Sequence, residues 1–129
     1  MRAFFVILGV LNLANGAWML FAPQSWYLYL PAGVPDTGPF NGHFVRDIGA
    51  AFVTIGGALM VAVWRARARR GVLLATTTFY GLHALVHVDD IVRGHLAHDH
   101  WRIDVPGVFL PAIVLAVLCL PRFWKAREG

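Results

Sequence analysis

The 129-residue chain has a single cysteine, Cys119, so no disulfide within the chain can staple the fold, and the lone thiol leaves the redox compartment open. Charge is scarce as well: 14% of residues are Asp, Glu, Lys or Arg, against about 25% in ordinary soluble domains. Internal repeats and low-complexity tracts are absent, which excludes a solenoid and a disordered linker. What fills the chain instead is apolar: 58% of residues are hydrophobic and mean hydropathy is +0.61, the makeup of a protein whose solvent is a lipid bilayer. A net charge of +4 raises nucleic acid as a partner. The Arg residues cluster between and after apolar runs, however, where they set membrane orientation, so nucleic acid is discarded.

Crossing about 30 Å of hydrocarbon as helix takes roughly 20 mostly apolar residues. Four segments approach that requirement: Ala3–Phe21, Phe40–Trp64, Gly71–Gly94 and Val105–Leu120. The chain therefore reads as an all-α membrane protein, one integral domain built as a four-transmembrane-helix bundle. The first segment follows Met1-Arg2 as a signal peptide would. Its apolar stretch is long and no small-x-small cleavage site follows, so it is expected as an uncleaved span. The fourth is short and contains Pro111, which bends it or frees a carbonyl; Asp104, two residues before Pro106, is expected to cap its first turn. Between the first two spans, Trp26, Tyr27 and Tyr29 have the character of an interfacial belt. Residues 24–30 are accordingly expected as a short helix on the outer leaflet, or as a lid over an outward-facing cavity.

Orientation follows from the cations. Arg2, Arg65, Arg67, Arg69, Arg70, Arg122, Lys125 and Arg127 fall on one side, which places both termini in the cytoplasm. Asp36, Asp47, Asp89, Asp90, Asp99, Asp104 and the histidines fall on the other side or in the half of the bilayer nearest it.

The stretch HALVHVDD, residues 83–90, interrupts an otherwise apolar third span. At about 100° per residue, His87 lies roughly 40° from His83 and Asp90 roughly 20° to the other side, so the three share a face with Thr76 and Tyr80, while Asp89 points elsewhere. The same arithmetic aligns His43 and Asp47 on one face of the second span, with Arg46 at its edge. A tight turn near Arg67 and Ala68 would bring the two stripes to similar depth, with Asn15 of the first span at roughly the height of Asp47.

Ionisable groups at mid-membrane cost about 2.5–3.5 kcal/mol each, so they need partners. Two arrangements supply them. In one, His43, Asp47, His83, His87 and Asp90 ligate copper, zinc or iron, with Asn15, Tyr80 and Arg46 supporting the site or a cofactor in it. In the other, the same groups and Arg46 hydrogen-bond to one another and hold the helices together without an ion. Haem fits less well, because His43 and His83 differ in depth by on the order of 13 Å on straight helices. The metal arrangement would suit a quinone-linked or metal-dependent oxidoreductase acting on apolar substrates; the second suits a non-enzymatic accessory or structural subunit. His95, His98 and His100 in the outer loop either feed cations to the cluster or are simply solvated, and Asp99 and Asp104 are expected to pair with Arg93 and Arg102 at the surface. Small residues from Gly49 to Ala58 predict a tight helix crossing, within the bundle or between copies in a homo-oligomer.

Phe21-Ala22-Pro23 at the end of the first span and Arg46-Asp47-Ile48-Gly49 near the start of the second give the chain a resemblance to the small bacterial inner-membrane proteins grouped as DoxX-like. The resemblance covers most of the chain in architecture and few residues in detail. It implies the four-span fold and a bacterial inner-membrane location, with quinones or a larger membrane complex as partners.

Overall fold

The computed structural model describes residues 2–123, which are organised as helices and turns without a strand. The helices are α1 (Arg2–Phe21), α2 (Pro23–Tyr29), α3 (Gly42–Trp64), α4 (Arg69–Val92), α5 (Trp101–Asp104) and α6 (Leu110–Leu118). A π-helical turn at Val105–Phe109 joins α5 to α6, making Trp101–Leu118 one continuous helix. Four helical stretches are long and apolar enough to cross a membrane: Arg2–Phe21, Gly42–Trp64, Ala66–Val92 and Trp101–Leu118. Their number and length are compatible with the predicted four-helix bundle. Lys125 and Arg127, two of the cations used for orientation, lie outside the described residues.

The chain falls into two compact units, Met1–Val72 and Leu73–Gly129. In the first, α1 buries Phe5, Leu8, Gly9, Asn12, Gly16 and Met19, spacings of three and four that form one helical face. That face meets α3 through glycines. A Cβ added to Gly16 would stand 2.6 Å from the carbonyl oxygen of Gly49, and one added to Gly56 would stand 2.7 Å from Leu13 Cγ and 2.9 Å from the carbonyl oxygen of Gly9. The small-residue run is thus used inside the unit, against α1. Gly57 has open space where its side chain would be, so it takes no part in the crossing.

Helix ends follow local chemistry. Asn41 caps α3 by accepting the N–H of Phe44 at 3.1 Å. At the other end of α3, Arg69 folds back and donates to the carbonyls of Ala62 (2.9 Å) and Val63 (3.0 Å), satisfying acceptors that the terminating helix leaves open. Of the basic run Arg65–Arg70, Arg69 is therefore a buried cap and not a free surface charge. Gly94, with φ of 76°, closes α4: its N–H bonds to Ile91 and that of His95 to Asp90, the paired bonds of a Schellman ending.

The fourth long helix corrects a boundary. It begins at Trp101, not Val105, and Asp104 lies inside it instead of capping it. Pro106 has no N–H to give, and the helix continues past it by widening to a π-turn in which Leu110 N–H reaches Val105 O.

The glycine crossing yields a paired prediction. Gly16→Ala and Gly56→Ala should each lower stability in detergent by about 1–3 kcal/mol through overpacking against backbone, whereas Gly57→Ala should leave it unchanged or slightly raised. Denaturant unfolding followed by tryptophan fluorescence measures all three, and equal behaviour of Gly56→Ala and Gly57→Ala would contradict the crossing.

Candidate functional site

The polar face of α4 takes the course that its spacing predicts. Leu73, Thr76 and Tyr80 are buried, and His83 and His87 continue the stripe half-buried toward the end of the helix. The imidazoles of His83 and His87 meet edge to face, ring centres 4.8 Å apart, and His83 stacks on Phe79 at 6.3 Å.

What His87 bonds to is a residue assigned by sequence to the surface. Its Nδ1–H donates to Asp104 Oδ2 at 2.9 Å, and Asp104 is 1% exposed. At the N-cap of the same helix, four residues before Asp104, His100, 4% exposed, brings Nε2 to 3.6 Å from the other carboxylate oxygen, Oδ1. That contact is longer than a hydrogen bond, and both atoms are buried with no other partner. A carboxylate thus lies between two imidazoles, one joined to it by a short bond and the other held just beyond one, with a third imidazole against the first. One oxygen of the Asp104 carboxylate is thus satisfied by His87, and the other faces His100. Beneath it, Thr77 gives its hydroxyl proton to Leu73 O at 2.7 Å and lies 3.2 Å from Cys119 Sγ, so the lone thiol is the donor there and serves to link α4 to the end of α6.

The remaining expected residues are placed differently. His43 and Asp47 contact each other at 3.3 Å, but their side chains are 87% and 62% exposed, an open pair within one helix. Asp90 accepts from His95 at 3.2 Å, and Arg93 is taken by Asp89 at 2.8 Å instead of by Asp99 or Asp104. Hydrogen bonding to Asp89, then its charge, holds the Arg93 guanidinium above its already high range, so it stays cationic. Asn15, expected to support the cluster, instead accepts Trp26 Nε1–H at 2.8 Å and gives its amide to Met19 Sδ at 3.7 Å. With Trp18 donating to Ser25 (3.2 Å) and Tyr27 to Gly38 O (2.9 Å), this bond ties α2 down at three points. Tyr80 is buried on the face of α4 that carries His83, and Arg46 is exposed on α3.

Among the described residues, no set of three or more His, Cys, Asp or Glu side chains encloses a position that a metal ion would occupy. Within the second unit, His87, His100 and Asp104 turn their donor atoms on one another instead of around a common point. Comparison of the chain with protein-family models, curated proteins and solved structures finds no match.

Sequence reasoning missed Asp104 and His100. Their spacing of four, the same as that of His83 and His87, was the available signal; Pro106 masked it by suggesting a helix start after Asp104. Asp104→Ala removes the acceptor of His87 and the neighbour of His100 and should cost about 1–3 kcal/mol of stability, against less than about 0.5 kcal/mol for Asp47→Ala at its exposed pair. Thermal unfolding of the two variants in the same detergent checks this; similar losses would contradict it.

Proposed function

We propose that this chain is a multi-pass membrane protein with four spans and both termini in the cytoplasm of a bacterial inner membrane. In this reading its buried histidine and aspartate groups act as a hydrogen-bonded centre that joins α4 to the last long helix. The function is that of a non-enzymatic accessory or structural subunit. The single observation that carries the proposal is Asp104, 1% exposed and 2.9 Å from His87. A carboxylate taken out of water on an apolar helix is tolerated when it is paired, and once paired it fixes the register of the helices that supply the partners.

The bilayer reading is supported by the outer faces of the helices. Ile7 and Leu11 on α1, Leu82 and Leu85 on α4, and Ile113 on α6 are between 60% and 63% exposed, a surface that water penalises and acyl chains accept. Positive residues near Arg65–Arg70 and acids at the opposite helix ends support the orientation, and the likeness to DoxX-like proteins is one of architecture. Small-residue faces are occupied within the first unit, so association with a larger complex would use the apolar outer faces.

Two measurements test the proposal. Cysteine accessibility in intact cells should label Asp36→Cys from outside and not Arg67→Cys, on a Cys119→Ser background. Elemental analysis of detergent-purified protein should show no stoichiometric metal, with His83→Ala and His87→Ala indistinguishable from the parent. Copper, zinc or iron at one per chain, lost in those variants, would overturn the accessory reading in favour of a metal-dependent oxidoreductase. Quinone recovered in an organic extract would do so in favour of a quinone-linked one.

A further inference from the structure

Arg46 stands one turn inside α3. The carboxylate next to it, Asp47, is turned to His43, and among the described residues no acid forms an ion pair with Arg46. Arg46 lines an open groove of about 520 Å³ whose other walls include Pro23, Gln24, Ser25, Phe40 and Gly42. That size falls within the roughly 300–1,000 Å³ of small-molecule sites.

The chemistry of the walls selects the ligand. Arginine offers five N–H donors in a planar fork and no acceptor, a geometry matched by the oxygens of a phosphate. The Ser25 oxygen already accepts Trp18 Nε1–H, which leaves its own O–H to donate, and Gln24 adds an amide. No carboxylate lines the groove. The site is rigid as well, because α2, which supplies Pro23, Gln24 and Ser25, is anchored through Trp18, Trp26 and Tyr27. Large apolar side chains stand exposed at the adjoining helix ends, Phe21 at 87% and Phe44 at 64%, where they would face acyl chains. A lone guanidinium in a span is costly, and a headgroup phosphate is the compensating charge that a bilayer supplies.

We propose that this groove binds the phosphate oxyanion of one anionic phospholipid, with Arg46 as the principal ligand and Ser25 and Gln24 as further donors. The choice of a lipid as the source of the phosphate rests on the bilayer reading; the oxyanion chemistry does not. The experiment is native mass spectrometry of the full chain in neutral detergent, with phosphatidylglycerol or phosphatidylcholine added at equal concentration and inorganic phosphate as competitor. One phosphatidylglycerol per chain should be retained in preference to phosphatidylcholine. Arg46→Gln should weaken that retention about tenfold, Arg46→Lys and Gln24→Ala about threefold, and Arg67→Gln, among the opposite cations, less than about twofold. Displacement by millimolar phosphate supports the oxyanion site, and phosphate binding without lipid retention would overturn the lipid as its source. Equal retention of the two lipids would overturn the anionic lipid as the ligand, and equal retention of phosphatidylglycerol by parent and Arg46→Gln would overturn the site itself. Because Arg46 is exposed, Arg46→Gln should fold, and an unchanged tryptophan emission spectrum verifies it. Detergent removes the need for insertion, so a failure of the bilayer reading would appear in the labelling experiment and not here.

Discussion

A carboxylate withdrawn from water must find a compensating donor, and Asp104 finds one in the imidazole of His87, with His100 close by. That requirement explains why the fourth long helix starts as early as Trp101: without the α5 turn, His100 and Asp104 would not share a helical face one turn apart. The contact between Thr77 and Cys119 supports the same pair of helices further along. In the second unit Asp104 thus ties α4 to the last long helix, while Asp89 and Asp90 pair with Arg93 and His95 near the end of α4.

The first unit solves a different problem by simpler means. Its helices approach until backbone meets backbone, which only glycine at positions 16, 49 and 56 allows, and dispersion over that surface takes the place of a polar clamp. Polar side chains are used at its ends: Asn15 receives Trp26, Asn41 caps α3, and Arg69 closes the last turn of α3. Arg46 differs from the capping Arg69 in lining a groove beside α2, which is why it is proposed as a ligand for something outside the chain.

How far sequence reading reached can be seen in particular residues. The four long apolar segments were legible because length and hydropathy suffice for them, and the face of Thr76, Tyr80, His83 and His87 was legible because its period is that of the α-helix. Asp104 was not, because a residue two before a proline resembles an N-cap, and the π-turn that absorbs Pro106 leaves no mark in composition. Side-chain pairing was least legible. Asp47 and Asp90 are alike in sequence context with Asp104, yet they lie at helix ends with exposed partners while Asp104 is enclosed. Asn15 reads equally well as support for a polar cluster or as an acceptor for a tryptophan eleven residues on, and only the path of α2 decides between them.

Whether Asp104 and His87 depend on each other can be measured without assuming any function. A double-mutant cycle with His87→Ala and Asp104→Ala, read as unfolding free energy in one detergent, isolates their mutual term from packing losses. The account predicts a favourable coupling of about 1–3 kcal/mol, with each single variant costing nearly as much as the double. Additive losses, with a coupling near zero, would contradict it.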